Sequence, residues 1–250
     1  MDIENQPYQA PANQVESIDL HTKEDKGEDV LLSLNPRLGF IKKVYGILTF
    51  QLIITVLMCL LSMTCKGFAD FQMENPALMI TAAVGSLVIV LGLLCFTKCS
   101  RRVPLNYIIL TLFTLCESYM VSSICAMSDP ENVVMAAVMT LGVTVSLTLY
   151  ACTTRTDFTY FAGFLFVSVS SLMMSGFFMM FFNYGYLYVM CCGFGVIIYG
   201  MYLVYDTQLI LGGKHVELGY DDYIIGAILI YLDIVVLFIR ILEIINSLKK

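Results

Sequence analysis

Two aspartates lie inside runs of residues too apolar and too long for anything but membrane-crossing helices. Asp206 sits in GMYLVYDTQLILGG and Asp233 in IIGAILIYLDIVVLFI. A carboxylate in hydrocarbon costs roughly 2.5–3.5 kcal/mol on insertion scales, so it is rare and turns toward a partner or a polar cavity. Two carboxyls brought together in a dry site cannot both ionise cheaply. They share a proton and titrate as a pair. Stripped of that proton, the same pair becomes an anionic, oxygen-lined hole that suits a hard cation such as Ca2+. Asp206 and Asp233 are therefore the leading candidates for a proton-sharing site and for transient ligands of a hard cation.

Three further ionisable groups fall within apolar runs. Glu117 is mid-run with no base beside it, so it stays protonated or meets a partner on another helix. Thr114, Ser118 and Ser122 recur near it at four-residue spacing, the period of one helix face. It reads either as a neutral structural hydrogen-bonder or as a lining group of a cation path. Arg240 is seven residues after Asp233, two helical turns on, and so shares its face. Arg240 and Glu243 are three apart and can pair. Near a helix end they can also simply snorkel to the interface.

The elements that must position these groups follow from hydropathy. The chain has 250 residues and is 58% hydrophobic with 14% charged residues, where soluble domains carry roughly 25%. Its mean hydropathy is +0.80. Apolar runs of about 20 residues, enough for ~30 Å of hydrocarbon, recur from Val44. Seven helices are expected, at Val44–Met63, Ala77–Phe96, Val103–Ala126, Val133–Cys152, Phe158–Phe182, Leu187–Leu211 and Tyr223–Ile245. The fold class is an all-α integral membrane bundle of seven transmembrane helices. Asp129, Asp157, Asp221 and Asp222 precede helices and read as caps.

The charge is segregated. Residues 1–36 hold eight acids and two bases; residues 37–250 hold twelve of each. The net charge of −6 therefore belongs to the tail. That tail has no apolar periodicity and is expected to be a disordered cytosolic leader, with 37–250 as the transmembrane domain. It lacks the basic and apolar regions of a signal peptide. With the N-terminus cytosolic, Arg37, Lys42, Lys43, Lys98, Arg101, Arg102, Arg155 and Lys214 all fall inside and Lys66 outside. Lys249 and Lys250 conflict with this arrangement: either they are tolerated outside, or the last segment does not fully cross.

Several classes are excluded or unsupported. A neutral body with an acidic tail gives no electrostatic basis for nucleic-acid binding. No P-loop, dinucleotide fingerprint or Gly-x-Ser-x-Gly is present, and no cofactor is implied. His21 and His215 are solitary, and the cysteines lack zinc spacing and read as small apolar residues.

The runs VYDTQLILGGKH (204–215) and DDYIIGAILIYLDIVVLFIRIL (221–242) resemble the C-terminal signature of the Bax inhibitor family, in its lifeguard branch. PLNYIILTLFTLCESY (104–119) resembles that branch's third span. The resemblance covers most of 37–250. It implies a seven-helix bundle with the last helix at its centre, in Golgi or endoplasmic reticulum membranes. It implies a calcium-permeable leak with an aspartate pair, here Asp206 and Asp233, as pH sensor, together with suppression of cell death. It implies that a base at the end of the second span holds one aspartate; Arg101 and Arg102 are both candidates. No enzymatic activity is implied, and the expected partners are the bilayer, calcium ions and death-regulating membrane proteins. Two readings compete. A non-conducting scaffold for death-regulating proteins needs no buried aspartates. An intramembrane aspartyl protease also uses two, but the Gly-x-Gly-Asp of the presenilin type is replaced by Tyr231-Leu232-Asp233, and no proline follows Pro130.

Overall fold

The computed structural model describes residues 12–95, 101–179, 181 and 185–249; of these, the side chains of 12–35 and 94 are not described. All regular structure among the described residues is helical. Seven helices are long and apolar enough to cross a membrane: Pro36–Thr64, Pro76–Leu93, Leu105–Ala126, Pro130–Thr153, Phe158–Met179, Gly185–Leu211 and Tyr223–Leu248. They are called the first to seventh spans below. The expected seven helices are all present; the first starts at Pro36 rather than Val44, and the other described ends shift by three residues or fewer.

The chain divides into two compact units, Met1–Gly39 and Phe40–Lys250. In the first unit the backbone is helical from Ala12, with Pro36 inside the helix. The expected disorder of 1–36 otherwise falls on residues 1–11 and on the side chains of 12–35, which lie outside the described residues. So do Lys98, Cys99, Lys250 and the expected span ends Phe96 and Phe182. A short helix, Lys66–Glu74, links the first two spans.

Water exclusion does not drive helices together inside lipid, so close packing and internal hydrogen bonds must do so. The seventh span buries thirteen residues, among them Ile224, Ala227, Ile230, Tyr231, Asp233, Leu237 and Leu242. It packs against the third, fourth and sixth spans. In Ala162–Met179, by contrast, only Leu165 is buried, and Phe164, Phe166 and Val167 are exposed, as a lipid-facing surface requires. Gly226 lets three elements converge: a Cβ there would lie 3.3 Å from Ile210 and Leu218 and 3.4 Å from Val44.

Contacts between connections sort them onto two sides. Arg101 bonds Asp222, and His215 N–H donates to Asp157, which groups the connections after the second, fourth and sixth spans. On the opposite side, Asn246 donates to Ser128 at 2.9 Å and accepts from Asn132 at 2.9 Å, while Lys249 lies 3.5 Å from Glu131. The last helix therefore crosses fully, and Lys249 ends beside the connection after the third span.

Candidate functional site

Asp206 and Asp233 are both 4% exposed. The sixth span carries the first and the seventh the second, and these two helices pack along each other. Their carboxyl groups are in hydrogen-bonding contact. No donor reaches Oδ2 of Asp233. A carboxyl–carboxyl contact of this kind is attractive only when one proton lies between the two groups. Leu203, Val204, Ile230 and Leu237, within four positions of the two aspartates on the same helices, are all buried. Tyr199 and Tyr202, with ring centres 6.0 Å apart, stand within electrostatic reach of the pair.

Why the chain folds this way at Asp206 is visible two residues on. Gln208 is fully buried, and its amide is taken up by the connection after the fourth span. Its Nε2 donates to Thr156 O at 2.9 Å and its Oε1 accepts from Phe158 N–H at 2.8 Å. Gly212 and Gly213, with φ of 74° and 73°, then turn the chain back in a conformation only glycine adopts at no steric cost. Asp157 caps as expected: its Oδ1 accepts from Thr159 N–H at 2.9 Å and Thr159 Oγ1 at 2.6 Å, and its Oδ2 from His215 N–H at 2.9 Å. Burial alone would raise the Asp157 pKa, but these donors and the Lys214 charge outweigh it and hold the carboxyl below its usual value. The His215 ring stacks on Tyr160 at 4.6 Å. This clamp fixes the end of the sixth span that carries Asp206.

The arginines are placed differently from the expectation. Arg101 gives Nε and Nη2 to the two carboxylate oxygens of Asp222, at 2.9 and 3.0 Å. The hydrogen bond from Asp222 and its charge raise the guanidinium pKa further. Arg102 is exposed. Among the described residues, the ionisable group in contact with Asp206 is Asp233, and neither arginine joins it. The reason is reach: Asp222 stands at the start of the seventh span, level with the connection that bears Arg101. Asp222 is the helix N-cap by position, but its side chain makes no cap bond because the arginine has taken it. Asp129 is likewise an N-cap by position without a side-chain cap bond.

Arg240 and Glu243 pair as expected, Nη1 to Oε2 at 2.9 Å. Cys192 Sγ lies 3.3 Å from the same Oε2. Beside them is a cavity of about 60 Å³ lined by Leu172, Ser175, Gly176, Met179, Tyr188, Cys191, Cys192 and Arg240. Close approach of the sixth span depends on Gly195, where a Cβ would sit 3.3 Å from the Arg240 stem.

Glu117 is 6% exposed and faces the second span, where Ser86 is its hydrogen-bonding neighbour. The hydroxyl stripe of its own helix turns elsewhere, toward the first span. Gln51 Nε2 donates to Thr114 Oγ1 at 3.1 Å. Thr55 Oγ1 meets Ser118 Oγ at 2.9 Å and the Tyr231 hydroxyl at 2.8 Å. Gln72 accepts from Ser62 at 2.7 Å and donates to Ser122 at 2.9 Å. Gln51, Thr55, Gln72 and Tyr231 were not among the sequence candidates. The signal that could have found two of them is the four-residue spacing of Gln51 and Thr55 on one helix face.

No cluster of three or more metal-ligating side chains occurs among the described residues.

Comparison with known proteins bears on this arrangement. The family profile described as inhibitor of apoptosis-promoting Bax1 matches residues 37–250. Protein lifeguard 3 of Homo sapiens is 33% identical over 212 residues, covering 83% of this chain and 68% of that protein. Protein lifeguard 4 of Mus musculus is 31% identical over 218 residues, covering 87% of this chain and 89% of the relative. The BI1-like protein of Arabidopsis thaliana is 33% identical over 215 residues, covering 84% and 81%. A match over residues 37–250, the range of the seven apolar helices, places the chain in the Bax inhibitor family, as an integral membrane protein of a group tied to regulation of cell death.

Proposed function

We propose that this protein is a pH-sensitive, calcium-permeable leak of the Golgi or endoplasmic reticulum membrane, gated by Asp206 and Asp233, which lowers the calcium load of the store and so restrains cell death. The observation that carries this reading is the contact of two buried carboxyls on packed neighbouring spans. Two full charges about 4 Å apart at an effective dielectric near 20 repel by about 4 kcal/mol. That exceeds the roughly 1 kcal/mol net of a typical internal hydrogen bond. With one proton between them, the carboxyls hold the sixth and seventh spans together. Without it, the spans separate or the site admits a hard cation with oxygen ligands. Proton occupancy is thereby converted into helix packing, and the Gln208 clamp makes the sixth span answer as a rigid unit.

In this reading the N-terminus and the connections after the second, fourth and sixth spans lie in the cytosol. It is supported by the bases Arg101, Arg102, Arg155 and Lys214 on that side. Death-regulating membrane proteins are the further partners of this reading.

The test is calcium flux into proteoliposomes across a pH series, for the wild type, Asp206→Asn and Asp233→Asn. Wild-type flux is expected to vary with pH, and each substitution to flatten that variation. Unchanged pH sensitivity in both variants would move the sensor elsewhere. A wild type that passes no calcium at any pH would favour a non-conducting scaffold.

A further inference from the structure

The first and third spans are joined by a polar seam in parallel register. Gln51 meets Thr114 and Thr55 meets Ser118, each pair 63 positions apart. Equal offsets at successive turns mean that the two helices run the same way with matched faces. At its far end the seam changes chemistry. One turn beyond Thr55 stands Cys59, and its Sγ lies 3.8 Å from Sγ of Cys125. Both are free thiols. Cys125 is 1% exposed, while Cys59 is partly open. No other thiol–thiol contact occurs among the described residues, although Cys65, Cys95 and Cys152 are exposed.

We propose that Cys59 and Cys125 are a redox-active dithiol whose disulfide ties the first span to the third. A disulfide needs its sulfurs about 2.05 Å apart, so these must close by about 1.8 Å. That is less than a thiol moves in turning from one staggered rotamer to the next. The seam's hydrogen bonds hold the partners in place, so closure demands no search.

The oxidant is a peroxide, small and uncharged enough to enter a seam. The Cys59 sulfur attacks one peroxide oxygen, the O–O bond breaks, and the departing hydroxide leaves as water with the Cys59 proton. This makes a sulfenic acid. The Cys125 sulfur then attacks that sulfur, the S–S bond forms and the S–O bond breaks. The hydroxyl leaves as a second water with the Cys125 proton. Two thiols lose two electrons and the peroxide gains them. Cys59 goes first because it is the more accessible of the two. Both thiols lie toward the side of the Lys66–Glu74 helix, opposite the proposed cytosolic face and so in the oxidising direction. That placement rests on the proposed orientation; the bond itself does not.

The test uses the full chain in liposomes, first reduced and then treated with hydrogen peroxide. Remaining thiols are trapped by alkylation and peptides are weighed. The expected product is a linked pair of peptides bearing Cys59 and Cys125, two hydrogens lighter than their sum and released by dithiothreitol. Cys59→Ser and Cys125→Ala should each abolish it. Both thiols still alkylating while exposed Cys65 is oxidised would overturn the proposal. So would either thiol joined to Cys65 or carried on to sulfinic acid. Because the link is read by mass, a protein that passes no calcium would overturn the leak reading while this one still stands or falls on the linked peptide.

Discussion

The guanidinium of Arg101 grips both carboxylate oxygens of Asp222, at 2.9 and 3.0 Å. A bidentate bond of this kind fixes orientation as well as distance. It ties the connection after the second span to the first residue before the seventh, the helix that carries Asp233. A base near the end of the second span does hold an aspartate here, but it is the one at the N-cap position of the seventh span, whose side chain makes no cap bond, rather than one of the buried pair.

This pair should behave as one unit. Arg101→Gln and Asp222→Asn are each expected to lower thermal stability slightly and to raise basal calcium leak. The double variant should be no worse than either single one, because each change removes the same interaction. Additive effects in a double-mutant cycle would show that the two residues act separately. Lys at position 101 should rescue poorly, since a point charge cannot reproduce the fork.

The side of the C-terminus follows from Asn246 and Lys249, which meet Ser128, Asn132 and Glu131. A tag fused after residue 250 should be shielded from protease added to the cytosolic face of sealed microsomes. A glycosylation acceptor inserted near residue 129 should be modified in the same membranes. Digestion of the tag, or modification near residue 101 instead, would reverse the orientation.

Gly226 has no room for a methyl group: the atoms it would meet belong to Val44, Ile210 and Leu218. Val44 and Ile210 are fully buried. Gly226→Ala should therefore cost about 1–3 kcal/mol, as overpacking does. Gly142, with nothing within 4 Å of its Cβ direction, provides the control. Gly142→Ala should leave the melting temperature unchanged or slightly higher. Equal behaviour of the two variants would remove the packing argument.

The clamp at Asp157 predicts an acid limit. Its carboxyl is held below the ordinary value by the donors from Thr159 and His215. A depressed folded-state pKa contributes stability that is fully present above the unfolded value of about 3.9 and lost as pH falls through the folded one. The stability difference between wild type and Asp157→Asn should thus be constant above about pH 5 and shrink below about pH 4. A difference that grows on acidification would contradict the sign.

Glu117 and Ser86 make a separate test. Glu117→Gln keeps a neutral hydrogen-bonding shape but loses a charge and an oxygen ligand. On the leak reading, calcium flux should fall several-fold with insertion and expression unchanged. Normal flux would assign Glu117 to structure alone.

How far these features were legible depends on whether the energy involved is local. Burying a carboxylate in hydrocarbon costs so much that Asp206, Asp233 and Glu117 stand out from the bare sequence. The Arg240–Glu243 pair is equally local, since it needs only helical spacing. Span ends were less legible. The third begins at Leu105 rather than Val103 and the first at Pro36 rather than Val44, because composition reports apolar length whereas backbone hydrogen bonds decide where a helix starts. Gln51, Thr55 and Tyr231 carry single polar groups in apolar runs. They pass as tolerated exceptions until a second helix presents a partner.

The sequence by itself determined that seven segments are apolar and long enough to cross a membrane, that three acids within them must be hidden, and that its bases favour one side. Each of these follows from transfer energies summed along a single segment. Only the tertiary structure decided the pairings of Arg101 with Asp222 rather than Asp206, Glu117 with Ser86, and Cys59 with Cys125, and only it brought Asp206 and Asp233, already expected as a pair, into contact. Those depend on the rotation and register of one helix against another. In a bilayer these are set by side-chain packing between segments far apart in sequence, and hydropathy along one segment carries no record of them.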